Sequence, residues 1–260
     1  MAPDPTDDRL LDLLSATAAA VAEALAGDRA DGPGSWRDRG ERPGQYRIDL
    51  VADAAALEVL RAAGVGILSE ESGLEDRGSG LVVAVDPVDG STNASRHLPW
   101  YATSLCAVDG DGARAALVVN LVSGEEFEAV RGGGATRNGQ AIAPGASARL
   151  DQSLVGLSGY PPRYLGWKQF RALGAVALDL CAVATGVLDG YVDCSWNAHG
   201  PWVYLGGMLV CVEAGASVVD ADGRDLVVLD HTDRRTPVAA STPELLAELV
   251  AARASFTTPD

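Results

Sequence analysis

The most constraining feature of the chain is an apolar run that ends abruptly in acidic and hydroxyl residues, at residues 84–93 (Ala-Val-Asp-Pro-Val-Asp-Gly-Ser-Thr-Asn). The run Leu81–Val85 predicts a short buried strand, and we expect it to stop at Asp86 because the next residue is a proline without a backbone donor. On the tight turn that Gly90 permits, the carboxylates of Asp86 and Asp89 converge. Their mutual repulsion favours a divalent cation with oxygen ligands between them.

A second acidic strand end supports a functional role for this turn. Asp-Pro and Asp-Gly pairs are common in ordinary turns, so residues 84–93 alone leave a plain loop open. Upstream, residues 66–72 (Gly-Ile-Leu-Ser-Glu-Glu-Ser) form another apolar run that ends in carboxylates, Glu70 among them. Acids at the carboxyl ends of two strands predict one oxygen-rich cluster at a sheet edge, where open α/β sheets bind ligands. The backbone amides of Gly90 and Ser91 would suit an anion such as phosphate.

Three segments, in this order, resemble the signatures of the inositol monophosphatase family of magnesium-dependent, lithium-sensitive phosphatases. They are Ser69–Ser72, Asp86–Asn93 and Trp202–Ala216. Residues 174–181 and 186–191 also resemble the family segment that precedes the last signature. The resemblance runs from about residue 49 to the C-terminus. It implies the layered αβαβα fold of sugar phosphatases.

The resemblance implies a metal site at the two acidic strand ends. One Mg²⁺ would be held by Glu70, Asp86 and the Val88 carbonyl. It would activate a water molecule that Ser91 orients. A second Mg²⁺, held by Asp86 and Asp89, would stabilise the leaving oxygen. The implied reaction is hydrolysis of a phosphate monoester by a metal-activated water, with these carboxylates and Ser91 as the catalytic groups.

The resemblance also assigns contacts to the substrate. The amides of Gly90 and Ser91 would hold the phosphate group, and Asp193 resembles the family's acidic residue that contacts a substrate hydroxyl. An ordinary aspartate at a strand end is the alternative for Asp193. Selectivity rests on loop contacts that motifs do not fix, so inositol, sugar, histidinol and nucleotide phosphates all stay open as substrates.

The third signature departs from the family at Val203. An ungapped alignment back from Glu213 places Trp202 and Val203 where the family has Trp-Asp, and that aspartate normally binds the second metal. A valine side chain cannot bind a cation, so the second ion would be weakened. The preceding loop is longer than the usual family spacing and carries Asn197 and His199, which could compensate. A loop histidine bonded to backbone is the alternative for His199.

A long polar segment, residues 28–47, precedes the metal motifs and is rich in Gly, Pro, Arg and Asp. It predicts either a plain connector or a lid, because long loops in compact domains often cover sites. The family carries a mobile loop near its metals at this point. Here Arg47 and Leu50 replace the first Asp and the Thr of the family's Asp-x-Val-Thr-x-x-Asp pattern, so we do not expect the loop to bind an additional metal. Asp49 is expected to cap the next helix.

Periodicity predicts helices and strands around the metal motifs in the first half of the chain. Residues 7–26 predict an amphipathic helix that ends at Gly27, and the helix after Asp49 is expected to end at Gly64. Strands are expected at 103–108, 113–122 and 126–130. A hairpin turn at 109–112 is expected to join the first two of these strands.

Strands and helices alternate in the second half. Strands are expected at 154–157, near 191, and at 217–219, 226–229 and 238–240, with helices at 167–173, 178–187 and 203–214. Ser241 and Glu244 predict a capping box for a final helix that has Pro243 in its first turn. Helices layered on sheets predict an α/β or α+β sandwich. We expect an N-terminal α+β half at 1–145 that carries the metal site and a C-terminal α/β half at 146–260 that completes it.

Charge and cysteine content argue against several function classes. A net charge of −16 and a pI near 4.5 argue against a nucleic-acid partner and against an anionic membrane. The four cysteines lack Cys-x-x-Cys spacing, which predicts neither a zinc site nor a disulfide framework. We recognise no signal segment and no uncharged run near the roughly 20 residues that span a bilayer, so a cytoplasmic protein is expected. The family resemblance implies a homodimer.

Two functions of different class follow. The first is an Mg²⁺-dependent phosphatase that acts on a small phosphate ester. The second is a weakened family member that binds metal and a phosphorylated ligand without efficient turnover, because Val203 replaces a metal ligand. Phosphate release separates the two.

Overall fold

The structure, a computed structural model, describes residues 5–29, 35–40 and 45–256. Within these residues the chain forms six α-helices, which are α1 (Asp7–Arg29), α2 (Arg47–Ala63), α3 (Ser91–Ser95), α4 (Val176–Ala184), α5 (Pro201–Ala214) and α6 (Pro243–Ala254). The strands in the same ranges are β1 (Gly66–Ser69), β2 (Gly73–Glu75), β3 (Val82–Asp89), β4 (Ala102–Asp109), β5 (Gly112–Asn120), β6 (Glu126–Val130), β7 (Gly134–Arg137), β8 (Gln140–Ala141), β9 (Leu154–Ser158), β10 (Gln169–Arg171), β11 (Gly190–Asp193), β12 (Ser217–Asp220) and β13 (Pro237–Ala240). Short 3₁₀ turns lie at Ser35–Arg37 and Leu150–Gln152.

The strands form two sheets. The larger sheet has eight strands in the order β2-β1-β3-β4-β5-β6-β7-β8, and the smaller sheet has five in the order β10-β9-β11-β13-β12. In the larger sheet β1 and β3 are parallel, whereas β3, β4, β5 and β6 pair as antiparallel neighbours. In the smaller sheet β9 is parallel to both β10 and β11. The strands that carry the predicted metal residues therefore lie side by side in the larger sheet.

Alternate side chains of the larger sheet enter two different cores. Val83 and Val85 pack on one face with residues of α1 and α2. Ala84 and Cys106 pack on the other face with residues of α4 and α5, and this core also includes Tyr191 of the smaller sheet. The helices α4 and α5 are therefore sandwiched between the two sheets.

The helix α6 covers the outer face of the smaller sheet. Val192 and Val238 from the sheet share a third core with Leu245 and Leu249 from α6. The layers run in the order α1 with α2, larger sheet, α4 with α5, smaller sheet, α6. This arrangement confirms the predicted αβαβα sandwich. The smaller sheet begins at Leu154, and a division into two halves at residue 145 stays a prediction.

The first helix runs further than the sequence predicts. It continues past Gly27, because Leu25 is buried in the core and Asp28 accepts a hydrogen bond from Arg47 Nη2 at 2.6 Å. These contacts outweigh the roughly 1 kcal/mol that a helical glycine costs relative to alanine. The predicted lid over residues 28–47 lies partly outside the described residues, so its role stays a prediction.

The second helix begins earlier than the sequence predicts. It starts at Arg47 with Tyr46 at the N-cap position, so Asp49 lies inside the first turn. The Asp49 carboxylate accepts a hydrogen bond from Tyr46 N at 2.8 Å, which satisfies a backbone donor at the helix start. Asp49 therefore caps the helix start as predicted, but from the third helical position of a capping box instead of the N-cap position. The predicted helix end is confirmed, with Gly64 in the left-handed conformation at φ +73°.

The strand β3 does not stop at Asp86 as predicted. It continues to Asp89, because its pairing with β4 shifts register between these two residues. This irregularity removes the need for an amide at Pro87, whose carbonyl accepts a hydrogen bond from Thr103 Oγ1 at 2.9 Å. The predicted hairpin is confirmed, since β4 ends and β5 begins on either side of residues 110–111.

Two short apolar segments of the second half differ from the prediction. Residues 167–173 contain the strand β10 instead of a helix, because Gln169–Arg171 pairs in parallel with the edge of β9. A segment this short gains more from a sheet edge than from an isolated helical turn. Residues 226–229 form no strand, although the Leu226 carbonyl accepts a hydrogen bond from Tyr204 Oη at 2.8 Å.

The last helix is capped one residue later than predicted. Pro243 occupies the first helical turn as expected, which leaves Thr242 at the N-cap position. Thr242 Oγ1 accepts a hydrogen bond from Leu245 N at 3.2 Å. The predicted capping box of Ser241 and Glu244 was therefore wrong, because the third helical position is Leu245, which has no side-chain acceptor.

The helix over residues 7–28 is long and apolar enough to span a membrane by length and composition alone. A core helix of a globular protein passes the same test. Here Leu10, Leu14 and Val21 are buried in the core that α1 shares with α2 and the larger sheet. The apolar face of α1 is therefore occupied by packing within the chain.

Candidate active site

The parallel pairing of β1 and β3 brings the two acidic strand ends together. Ser69 lies opposite Val85, so Glu70 directly follows β1 beside Asp86 of β3. Glu70 N donates a hydrogen bond to the Val85 carbonyl at 3.3 Å. Because parallel strands end at the same edge of a sheet, both carboxylates lie at one side of the molecule.

The irregularity in β3 and the glycine after it fix the next turn. Val88 N donates a hydrogen bond to Asp86 Oδ1 at 3.1 Å. Gly90 has φ +87°, and a Cβ there would lie 3.1 Å from both Ala175 Cβ and the Trp100 carbonyl oxygen. A side chain at this position would be strained and crowded, so glycine is required. The short helix α3 begins directly after it.

Both halves of the chain line one cavity of about 230 Å³. From the first half it is lined by Glu70, Asp86, Val88, Asp89, Gly90 and Ser91. From the second half it is lined by Ala198, His199, Gly200, Trp202, Val203 and Arg234. The structure thus brings the predicted metal and phosphate residues together, whereas Asp193 is not among the described lining residues.

Two sides of this cavity differ in charge. We call the side formed by the three carboxylates of Glu70, Asp86 and Asp89 the carboxylate wall. We call the side formed by His199 and Arg234, together with the apolar Val203, Trp202 and their loop, the basic wall.

Burial and close spacing disfavour the negative charge of the carboxylate wall when no cation is bound. Asp86 is 2% exposed, and burial together with the charges of Glu70 and Asp89 raises its pKa well above the usual range. Burial raises the pKa of Asp89 to about 7, although the Ala177 N–H at 2.7 Å and the charge of His199 oppose this shift. Buried carboxylates so close together favour a bound cation.

The oxygen atoms of the carboxylate wall are suitable ligands for a hard divalent cation. Among the described residues, no three His, Cys, Asp or Glu side chains are grouped closely enough to form a preassembled metal centre. Asp89 is drawn toward the start of α4 by its hydrogen bond from Ala177 N. Glu70, Asp86 and Val88 nevertheless present oxygen ligands to the cavity, which is the chemistry that Mg²⁺ prefers.

A further carboxylate, that of Asp49, lies behind this wall. Burial raises the pKa of Asp49 to about 7, with the Tyr46 N–H opposing and the charges of Glu71 and Glu70 reinforcing the shift. The Ser91 hydroxyl lies close enough to the same carboxylate to lower its pKa. Asp49 and Ser91 are therefore neighbours at the cavity, where Asp49 Oδ1 is buried without a hydrogen-bond partner.

The turn after β1 is held by a network of polar side chains. The Asp53 carboxylate accepts hydrogen bonds from the hydroxyls of Ser69 and Ser72. Ser69 Oγ in turn accepts a hydrogen bond from Glu71 N at 3.0 Å. The Glu71 carboxylate accepts a hydrogen bond from Gln45 instead of lining the cavity. Both Asp53 and Glu71 therefore support the turn that presents the neighbouring glutamate.

The basic wall is built from two loops of the second half. His199 Nε2 lies 3.4 Å from Asp193 Oδ2 and 3.3 Å from Ser158 Oγ. The Arg234 guanidinium lies over the Trp202 ring, with Cζ 5.1 Å from the ring centre. Its Nη1 donates hydrogen bonds to two backbone carbonyls at 2.8 Å. The positive charge of Arg234 is therefore held at the cavity by stacking and by backbone contacts.

Comparison with known proteins decides the family. A model of the inositol monophosphatase family matches residues 8–257. The chain belongs to the inositol monophosphatase family. A family relative from Archaeoglobus fulgidus, named fructose-1,6-bisphosphatase/inositol-1-monophosphatase, is 35% identical over 74% of this chain and 77% of its own length. The Nus factor SuhB of Escherichia coli is 30% identical over 68% of this chain and 71% of its own length.

Solved structures of the inositol monophosphatase type share the fold. A Pyrococcus horikoshii protein, described as having similarities to inositol-1 monophosphatase, matches with a TM-score of 0.85 and 26% identity over 95% of this chain and 99% of its own. Inositol monophosphatase from Anabaena matches with a TM-score of 0.77 and 25% identity over 96% of this chain and 97% of its own. These similarities agree with the layered architecture described above.

Two residues at this cavity were not predicted from the sequence to belong to the active site. Asp49 occupies a helix start, and its proximity to Ser91 arises only when α2 packs beside the larger sheet. Arg234 lies in an irregular segment without a motif, and only tertiary packing brings it to the cavity. Val203 lies in the first turn of α5 and lines the cavity. That it stands in place of a family aspartate stays a prediction.

Proposed function

We propose that the protein hydrolyses small phosphate monoesters with the help of bound Mg²⁺. The observation that carries this proposal is the single cavity in which Glu70, Asp86 and Asp89 lie beside Gly90 and Ser91. Family membership supports it, since relatives at 35% and 32% identity are named fructose-1,6-bisphosphatase/inositol-1-monophosphatase and fructose-1,6-bisphosphatase.

The carboxylate wall would hold the cation. Glu70, Asp86 and Val88 would be its ligands, and Asp86 together with Asp89 would contact a second ion where one binds. When bound, Mg²⁺ supplies positive charge that lowers the pKa of the attacking water and offsets the charge of the phosphate. Without the cation, burial and mutual repulsion raise the pKa values of Asp86 and Asp89, so a bound cation would favour the ionised form of both carboxylates.

The residues around the wall would position the reactants. Ser91 would orient the attacking water, and the adjacent Asp49, with a pKa of about 7, would accept its proton near neutral pH. The amides of Gly90 and Ser91 would face the phosphate oxygens. Arg234 would contribute a fixed positive charge on the opposite side of the cavity.

A weakened family member is the second candidate, and Val203 is the observation that favours it. The Val203 side chain lines the cavity and offers no ligand to a cation. If hydrolysis in this chain depends on a second ion at that position, the protein would bind metal and phosphate esters without efficient turnover.

Phosphate release with Mg²⁺ across inositol, sugar, histidinol and nucleotide phosphates tests the two candidates. We expect the unmodified protein to release phosphate and the Val203→Asp variant to gain less than about threefold, because the basic wall already provides positive charge at that end. Val122→Asp, at a half-exposed valine in a turn, is the matched control for the added carboxylate. Activity that appears only in Val203→Asp would favour the weakened family member.

The proposal also includes the oligomeric state, the location and the partners of the protein. We propose a homodimer in the cytoplasm that acts on a small-molecule phosphate ester, without a nucleic-acid or membrane partner. The four cysteines support this setting, since all are buried and none is paired. Light scattering after size-exclusion chromatography tests the oligomeric state, and a monomer at micromolar concentration would contradict it.

A further inference from the structure

His199 is held at the cavity by a fully buried carboxylate. Asp193 has no exposed surface, and its Oδ1 accepts a hydrogen bond from Ser195 N at 2.8 Å. Its Oδ2 is buried without a hydrogen bond and lies 3.4 Å from His199 Nε2. Ser158 Oγ contacts the same ring nitrogen at 3.3 Å. The second ring nitrogen, Nδ1, has no hydrogen-bond partner within the described ranges.

The backbone around His199 is fixed as well. The His199 carbonyl accepts a hydrogen bond from Arg235 N at 2.9 Å. Asn197 adopts the left-handed conformation at φ +46°, and its N–H donates to Thr236 Oγ1 at 3.4 Å. The first turn of α5, with Gly200 as its N-cap, follows immediately. The loop therefore presents the imidazole to the cavity in a defined position, which argues against a loop histidine that only satisfies backbone.

The surroundings of His199 favour its protonated form. Burial lowers its pKa, but the close contact with Asp193 and the charge of Asp193 raise it, and the resulting pKa is above the ordinary value of 6.5. The charges of Asp89 and Glu70, which a bound cation would offset, add to this shift. Arg234, the other cation that lines the cavity, is held by the Trp202 ring instead. The contact with Asp193 does not depend on a cation, so it favours a proton on His199 in the cavity that Val203 also lines.

We propose that His199 is the general acid that protonates the leaving oxygen of the substrate, and that Asp193 and Ser158 position it for this step. This inference rests on the proposed phosphatase function and names the group that acts at its leaving-group end. Asp193 then acts through His199, in place of the direct substrate contact that the sequence predicts.

The step balances as follows. The oxygen of the attacking water forms a bond to phosphorus, and the bond between phosphorus and the ester oxygen breaks with its electron pair on the leaving oxygen. The proton on His199 passes to that oxygen, which leaves as the alcohol. The attacking water gives one proton to Asp49 and keeps the other in the product phosphate. Imidazole regains its proton from Asp49 through solvent in the cavity.

Two substrates with different leaving groups test the assignment of His199 as the general acid. An alkyl phosphate needs a proton at its leaving oxygen, whereas p-nitrophenol leaves readily as the anion. We expect His199→Asn to lower kcat on the best alkyl phosphate about 100-fold or more, and on p-nitrophenyl phosphate by less than about threefold. Asp193→Asn should show the same selectivity with a loss of roughly tenfold. His97→Asn is the matched control, because His97 is exposed in a left-handed turn that asparagine tolerates.

Cation binding provides a second readout that does not depend on turnover. We expect the number and affinity of bound Mn²⁺ ions, measured by electron paramagnetic resonance, to be unchanged in His199→Asn. Weaker Mn²⁺ binding would make His199 a metal ligand and overturn the acid role, as would an equal loss on both substrates in a variant that melts at the same temperature. A protein that releases no phosphate from any ester overturns the phosphatase function itself, and the acid role with it.

Discussion

The two walls of the cavity are built in different ways. The carboxylate wall stands on paired strands, where the register of β1 and β3 sets the position of Glu70 beside Asp86. The basic wall stands on loops, where His199 and Arg234 depend on contacts with Asp193 and with an aromatic ring. A wall built on a strand ladder is specified by local sequence, whereas a wall built on loops is specified by tertiary packing.

The difference has a consequence for chemistry. Cation binding needs carboxylates held close against their repulsion, which a rigid sheet edge provides. Leaving-group chemistry and selectivity need groups that can change between relatives, and a loop allows such change without disturbing the core. Val203, His199 and Arg234 all line the cavity, and His199 and Arg234 lie outside the helices and strands.

Removing a charge from the carboxylate wall should have the largest effect. We expect Asp86→Asn to lower phosphate release at least about 10³-fold, because a bound cation contributes several kcal/mol to the barrier. We expect its melting temperature without metal to be no lower, since asparagine is neutral and avoids the burial cost and the repulsion from Glu70 and Asp89 that raise the pKa of Asp86. Asp111→Asn, at an exposed hairpin residue, is the control.

A smaller loss of activity in Asp86→Asn would mean that the basic wall carries most of the catalysis. Activity within tenfold of the unmodified protein would contradict the metal role of this wall. Urea denaturation of both variants shows whether any loss reflects unfolding.

The sequence predicts the carboxylate wall better than the basic wall. Apolar runs followed by acids predicted that Glu70 and Asp86 lie on neighbouring strands, although β3 continues past Asp86 to Asp89, and the family signatures predicted the layered fold. Asp193, by contrast, is fully buried 3.4 Å from His199, and the substrate contact expected for it stays a prediction. No periodicity links residues so far apart in the chain, so Arg234 could not be placed at all.

Short elements were the hardest to predict, for a related reason. Residues 167–173 are too few to show a helical or strand period, and the free edge of β9 decides their conformation. The same holds for the start of α2, where Tyr46 takes the N-cap position and Asp49 becomes free to approach Ser91. Local sequence patterns determine the conformation of the long helices and strands, whereas tertiary packing determines that of short segments and helix ends.

The contact between the carboxylate wall and the start of α4, in the second half of the chain, should show a smaller effect, on stability. Gly90 belongs to the motif of the first half, yet a Cβ there would meet Ala175 and the Gly174 carbonyl of the second half at 3.1 Å. We expect Gly90→Ala to lower the free energy of unfolding by about 2–3 kcal/mol in urea denaturation. Gly139→Ala is the control for backbone strain alone, since Gly139 has φ +73° and a Cβ there would meet no atom within 4 Å. We expect it to lower the free energy of unfolding by about 1 kcal/mol. Equal losses in the two variants would mean that the halves do not meet tightly at Gly90.

The smallest effect should come from a buried acid behind the carboxylate wall. Asp179 in α4 accepts a hydrogen bond from Trp100 Nε1 at 2.9 Å, and burial raises its pKa to about 8 against that hydrogen bond, with the charge of Asp89 adding to the shift. Folding raises the pKa of Asp179 from its ordinary value of 3.8. The contribution of Asp179 to the free energy of unfolding is therefore complete below pH 3.8 and is lost as the pH rises toward 8.

Asp179→Asn removes this titration and keeps an oxygen acceptor for Trp100. We therefore expect the fall in the free energy of unfolding between pH 5 and pH 7, measured in urea with a chelator present, to be smaller in the variant by roughly 2 kcal/mol. Asp111→Asn should leave that fall unchanged, because the residue is exposed. Parallel pH profiles for Asp179→Asn and the unmodified protein would show that Asp179 is ionised in the fold. The negative charge of the carboxylate wall would then extend into the helix layer, and its preference for a cation would be stronger than the strand ends alone provide.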